Sequence, residues 1–193
     1  MSFEQEFNQN WHHSLSPTHY DKDFNINDLG YLARADLQRI TYENEYRMTD
    51  FDAAYELTQR NLSVVVMRNT TSHGDYLGSK LSFLAHQTYN DTQHARWWID
   101  FHSANVDDRI TRGHGSVNFD KGVNVGACYD WGQRGEFRHH TRLYLQDSQK
   151  FGTGYSLHYH PSYYFTDNYR ISYSVFFDAA RERILWRGGR LNR

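Results

Sequence analysis

The stretch "HARWWIDFH", residues 94–102, decides the fold because a β-strand sorts its side chains by polarity. Successive side chains of a strand point to opposite faces of the sheet. One face of this strand would be apolar, with Ala95, Trp97, Ile99 and Phe101. The other face would carry charge, imidazole or indole, with Arg96, Trp98, Asp100 and His102. The sequence therefore predicts a strand that separates an apolar environment from a polar one.

The same alternation recurs along most of the 193 residues. Apolar side chains occupy alternate positions in further runs, at residues 40–48, 55–66, 81–89, 123–131, 137–145, 155–163 and 169–177. Short turn-forming segments separate most of these runs, which favours antiparallel hairpins. The pattern predicts an all-β, antiparallel up-and-down meander of roughly eight or nine long strands. We expect an irregular lead-in over residues 1–30 and the β-barrel region over residues 31–193.

Composition excludes several classes of function. The formal net charge of −2 gives no broad basic surface, so we expect no nucleic-acid partner. The single cysteine, Cys128, rules out an intrachain disulfide and a cysteine-clustered zinc site. The first residues, "MSFEQEFNQNWHHS", lack the apolar stretch of an export signal.

Two kinds of protein produce this alternation. A soluble sandwich or barrel turns its apolar face toward a core, whereas a transmembrane barrel turns it toward lipid and encloses a polar lumen. Runs long enough to span a bilayer, aromatic run ends and charges deep within the polar faces favour the membrane barrel. The alternative is a soluble β-barrel or sandwich that binds a small ligand or a carbohydrate.

A segment before the first long run resembles a known family. "FNINDLGYLARAD", residues 24–36, is similar to a motif of the bacterial domain-of-unknown-function family 5916. The matching residues are Phe24, Asn27, Asp28, Leu29, Gly30, Tyr31, Arg34 and Asp36. "VDDRITRGHG" and "YSVFFDAARERILW" also resemble later parts of the family pattern. From residue chemistry alone, Asn27, Asp28 and Gly30 suit a turn, and Arg34 could pair with Asp36.

The resemblance implies a location and an architecture more than an activity. Family members are similar to larger secreted proteins, with an N-terminal sandwich related to carbohydrate-binding modules and a C-terminal region that resembles outer-membrane barrels. This chain would match part of that C-terminal region. The resemblance thus implies a fragment of a barrel in the cell outer membrane, with a structural or transport role, lipid as its partner and an export signal outside this chain.

Candidate sites are sparse. His140, His158 and His160 could approach one another on neighbouring strands as metal ligands, although a polar-surface role for these histidines is the more frequent one. Trp98 and Tyr144 could contact carbohydrate by stacking, with interfacial or core packing as the alternative. No G-x-S-x-G nucleophile turn or phosphate-binding glycine loop occurs, so we expect neither an enzyme nor a cofactor.

Overall fold

The part of the chain that the structure describes is built almost entirely of β-strands. The computed structural model describes residues 3–6, 8–21, 36–52, 54, 56–90, 92–107, 116–131, 135–148, 152–166, 169–181, 185–187 and 190–192. The strands are β1 (Phe3–Glu6), β2 (Trp11–Tyr20), β3 (Leu37–Met48), β4 (Leu57–Thr70), β5 (Tyr76–Tyr89), β6 (His94–His102), β7 (Asn105–Asp107), β8 (Val117–Phe119), β9 (Gly122–Trp131), β10 (Phe137–Ser148), β11 (Gly152–Thr166), β12 (Tyr169–Ser172), β13 (Val175–Arg181), β14 (Leu185–Arg187) and β15 (Arg190–Asn192).

Eleven of these strands form one antiparallel sheet. Its order is β1-β2-β3-β4-β5-β6-β9-β10-β11-β12, and β13 pairs with the other half of β11. The short hairpins β7–β8 and β14–β15 stand outside this sheet. From β1 to β12, each strand of this sheet pairs with the next one along the chain, except that β6 pairs with β9 across the β7–β8 hairpin. The predicted all-β antiparallel meander is therefore confirmed.

The first residues differ from the sequence prediction. An irregular lead-in over residues 1–30 is wrong for residues 3–6 and 11–20, which form β1 and β2. The alternation in β2 is weak because histidine and proline interrupt its apolar positions. His13 is opposite Asn44 and Pro17 is opposite Ile40, so pairing with β3 imposes the extended conformation that the local pattern does not indicate. With β2 included, the described residues contain eight strands of nine or more residues, within the predicted eight or nine long strands.

Apolar side chains align into rows across the sheet. In a central row, Val64 of β4 is opposite Phe83, Phe83 is opposite Ile99, and Ile99 is opposite Val125. The row continues through Leu145 of β10 to Tyr155 of β11. Because directly opposed side chains share a face, these rows place one continuous apolar face on the sheet.

The sheet is a single layer among the described residues. Each strand makes its main contacts with its hydrogen-bonded neighbours, and the exception is β7, which also approaches β5. The apolar face is left open: Trp97 is 47 % exposed, and Val66 is 45 % exposed. On the polar face, Ser82 is 2 % exposed and the Asp100 side chain 18 %. The polar side chains therefore crowd one another, as they do on the inner side of a curled sheet.

The strands of the meander end along two opposite borders of the sheet, and these borders differ in composition. On one border, which we call the aromatic edge, aromatic side chains lie on the apolar face at the strand ends; they include Trp11, Tyr46, Trp131, Phe137 and Tyr163. The Trp11 and Tyr46 ring centroids lie 4.6 Å apart. The two longest connections of the meander, residues 21–36 and 103–121, join strands at the opposite edge. No helix in the described residues is long and apolar enough to cross a membrane.

Candidate functional site

The polar face contains a row of basic side chains, interrupted by one thiol, at the centre of the sheet. Strand register places His86, Arg96, Cys128, Arg142 and His158 side by side on five successive strands, β5, β6, β9, β10 and β11. We call this set the arginine row. The short thiol-bearing side chain of Cys128 lies between the two guanidinium-bearing ones. Neighbouring strands are about 4.8 Å apart, so the two arginine backbones are separated by roughly 10 Å.

A cavity of about 310 Å³ lies over the arginine row. It is lined by His86, His94, Arg96, Trp98, Cys128, Asp130, His140 and Arg142. The single carboxylate among them, Asp130, accepts a hydrogen bond of 2.5 Å from Nδ1 of His140. Within the part of the chain described, neither Arg96 nor Arg142 forms an ion pair with a carboxylate. The cavity therefore has two guanidinium groups that form no ion pair with a described carboxylate.

Trp98 forms one wall of this cavity. It is opposite Gly126 in the register of β6 and β9, and its indole ring lies against that glycine. A Cβ atom built on Gly126 would lie 2.0 Å from Cζ2 of Trp98, so only glycine leaves room for the ring. On the same ring, the guanidinium carbon of Arg142 lies 5.7 Å from the centroid, within cation–π distance.

The predicted carbohydrate contacts are neighbours in the structure. The rings of Trp98 and Tyr144 have centroids 6.4 Å apart and are inclined at 31°. The same indole ring also lies against Gly126 and within cation–π distance of Arg142. Carbohydrate contact by Trp98 and Tyr144 stays a prediction.

The three predicted histidines are close together but have other partners. Ring centroids of His140 and His158 are 5.8 Å apart, and those of His158 and His160 are 6.1 Å apart. His140 donates to Asp130, Nδ1 of His160 lies 2.6 Å from Oγ of Ser174, and the His158 ring stacks on Phe176 at 4.2 Å. Among the residues that the structure describes, no three His, Cys, Asp or Glu side chains form a group that could hold a metal ion.

The family-like motif ends at Asp36, its one described member. Asn27, Asp28, Leu29, Gly30 and Arg34 lie outside the described residues, so the predicted pairing of Arg34 with Asp36 is not tested. Oδ1 of Asp36 accepts a hydrogen bond of 2.7 Å from the Ser72 backbone N–H. Ser72 follows β4 in the tight turn to β5, where the Thr71 N–H bonds to the Asp75 carbonyl at 2.9 Å. Asp36 thus connects the start of β3 to the β4–β5 turn.

Asp36→Ala is expected to lower the free energy of unfolding by about 1–2 kcal/mol, because it removes the acceptor for the Ser72 N–H. Asp36 also has a φ of 52°, a left-handed conformation that Asp and Asn tolerate better than Ala. Asp36→Asn, which keeps both an acceptor and that tolerance, should cost less. Denaturant titration of the two variants measures the difference. Equal losses in both variants would contradict this role.

Sequence reasoning identified the charges on the polar face but not their arrangement. Alternation along each run places Arg96, Arg142 and Cys128 on its polar side. Nothing along the chain indicates that β9 lies between β6 and β10 with Cys128 opposite both arginines. Gly126 was not singled out. The one available signal was the glycine inside an otherwise regular strand, which often marks a close approach by another group.

The fold and the two faces of the sheet together define a structural class. It is an all-β antiparallel meander with an exposed apolar face and a polar face that contains a cavity lined by arginines. The chain belongs to the family described as "Domain of unknown function (DUF5916)", whose model matches residues 2–188. The resemblance carried by residues 24–36 is thereby confirmed at the level of the family. No curated protein and no solved structure gave a significant match to the chain.

Proposed function

We propose that this chain forms part of the wall of a transmembrane β-barrel in the cell outer membrane. The apolar face of the sheet would lie against lipid and the polar face against the lumen. The observation that carries the proposal is the inverted burial of the sheet. Large apolar side chains such as Trp97, Val66 and Phe101 are exposed, whereas Ser82 and Asn124 are buried. A soluble sheet with one covered face has the opposite arrangement.

The dimensions of the strands support the same proposal. A tilted strand crosses the hydrocarbon layer in about 9–11 residues, and β2 to β6 and β9 to β11 contain 9 to 15 residues each. The aromatic edge has the composition of an interfacial girdle. The longer connections at the opposite edge resemble the outer loops of such barrels, whose inner turns are short.

The role of this wall would be structural or transport-related. The polar face would line an aqueous lumen, where Lys80 and Asp100 can pair at 3.7 Å and stay hydrated. Inside a membrane, the backbone groups of every edge strand must be hydrogen-bonded to another strand. The edge strands β1 on one side and β12 and β13 on the other therefore need partners. Within the described residues these edge strands do not pair with each other.

The soluble alternative needs a cover for the apolar face. A sandwich supplies it with a second sheet at about 10 Å, and the elements described place no second layer there. A soluble barrel that bound a small ligand inside would have an apolar interior, whereas here the crowded face is polar. We therefore prefer the membrane proposal.

Refolding with lipid tests the proposal. We expect the full chain, diluted from urea into phospholipid vesicles, to float with the vesicles and to migrate differently on a gel before and after boiling, as stable membrane barrels do. Fractionation of cells that express the complete gene product is the second measurement. A product found wholly in the soluble fraction, or a refolded chain that stays monomeric and folded without lipid or detergent, would overturn the proposal.

A further inference from the structure

The cationic cavity of the polar face has the features of a binding site for an oxyanion. We propose that Arg96 and Arg142 bind a phosphate or carboxylate group of a small solute between them, above Cys128. This inference concerns the face opposite the proposed lipid surface, and it goes beyond a structural or transport role by naming a ligand chemistry.

Spacing is the first argument. Arg96 and Arg142 are each opposite Cys128 in the register, so one strand separates them. Two arginines in directly opposed positions would crowd each other, whereas these are roughly 10 Å apart at the backbone. Long guanidinium side chains can converge from that distance on one group of oxygen atoms. The small side chain of Cys128, the residue opposite both arginines, leaves the space between them open.

Charge is the second argument. Arg96 and Arg142 have no ion pair with a carboxylate in the described part of the chain, and Asp130, the one carboxylate of the cavity wall, is hydrogen-bonded to His140. His86 and His94 add two further imidazoles, with ring centroids 5.6 Å apart. Guanidinium groups prefer bidentate contacts with carboxylate and phosphate oxygens. An oxyanion would thus supply the partner that the described part of the chain does not.

Preorganisation is the third argument. Trp98 is held against Gly126, and Arg142 lies over its ring at 5.7 Å. This contact reduces the number of conformations open to Arg142 before a ligand arrives, which lowers the entropic cost of binding. The cavity volume of about 310 Å³ exceeds that of a bare phosphate, so it also has room for an organic substituent or water molecules.

The single cysteine of the chain reports on this site directly. Cys128 lines the cavity between the arginines. In the full chain in detergent micelles, its labelling rate is measured with an anionic methanethiosulfonate reagent (sulfonatoethyl) and a cationic one (trimethylammonium-ethyl). Both rates are normalised to those of a free thiol in solution. Because both reagents attack the same thiol, its ionisation cancels from their ratio.

We expect the normalised ratio to favour the anionic reagent, and Arg96→Gln or Arg142→Gln to lower it by roughly three- to tenfold each through loss of one nearby charge. Arg68→Gln is the matched control, because Arg68 lies on the other face, opposite Ile40. Inorganic phosphate or acetate at millimolar concentration should slow labelling relative to chloride at equal ionic strength, and the two arms identify the preferred oxyanion.

Equal normalised rates for the two reagents, or no protection by either oxyanion, would overturn the inference. If a glutamine variant fails to fold, the wild-type protein alone tests the inference. Its labelling rates with the two reagents are then compared in the presence and absence of phosphate or acetate. Failure of the membrane proposal is separately visible. A chain that ignores lipid vesicles but shows oxyanion protection at Cys128 refutes the membrane role and supports this site.

Discussion

Val64→Lys is expected to destabilise the lipid-inserted state by about 2–4 kcal/mol, the cost of a lysine near the middle of a membrane-spanning strand, because Val64 lies on the proposed lipid face. Val64 is central in β4 (Leu57–Thr70) and belongs to the central apolar row with Phe83 and Ile99. At that depth an ammonium group has neither water nor a carboxylate to compensate for the loss of hydration. Equilibrium refolding into vesicles at several urea concentrations measures the effect.

Ser63→Lys is the matched control for Val64→Lys. Ser63 precedes Val64 on the same strand and points to the polar face, opposite Glu45 on β3. The proposed lumen is wet there, and the new lysine has a carboxylate opposite it, so we expect a loss below about 1 kcal/mol. Equal effects of the two substitutions would remove the distinction between a lipid face and a lumen face. In a soluble sheet, the exposed Val64 would accept lysine with little cost.

Gly126→Ala is expected to cost about 1–3 kcal/mol, the usual range for overpacking. The added Cβ would lie 2.0 Å from Cζ2 of Trp98, so the indole ring must move from its place beside Arg142. The same substitution in a Trp98→Ala background should cost little, because the atom it collides with is absent. The coupling between the two sites is therefore predicted to be large and non-additive.

A double-mutant cycle measures this coupling. The four proteins are the wild type, Gly126→Ala, Trp98→Ala and the double variant, each unfolded in the same detergent or lipid. The cysteine-labelling ratio of Cys128 adds a second readout, since displacement of Trp98 should also release Arg142. Additive losses in the cycle would mean that the ring does not occupy the space over Gly126. Trp97→Ala, on the opposite face, serves as a control for loss of a tryptophan.

Much of the architecture was predictable because alternation is a local property of a strand. The assignment of Trp97 to the apolar face and of Asp100 to the polar face follows from their parity in residues 94–102. That the apolar face is the exposed one and the polar face the crowded one follows from the structure. The family was also predictable, since residues 24–36 carry a specific spacing. The first strands were not predictable from the sequence. Apolar and polar residues alternate only weakly in β2, which obtains its extended conformation from pairing with β3.

Alternation and turn spacing along the chain are enough to tell which side chains share a face, that the strands are antiparallel, and that the polar face carries charge. Which strands are neighbours, and in what register, depends on the folded sheet. Arg96, Cys128 and Arg142 are far apart along the chain, and they meet because β9 pairs with β6 on one side and β10 on the other. Register depends on backbone hydrogen bonds between distant segments and on the connections that join them. The cavity between the arginines, and the glycine that admits Trp98, are therefore properties of the sheet as a whole.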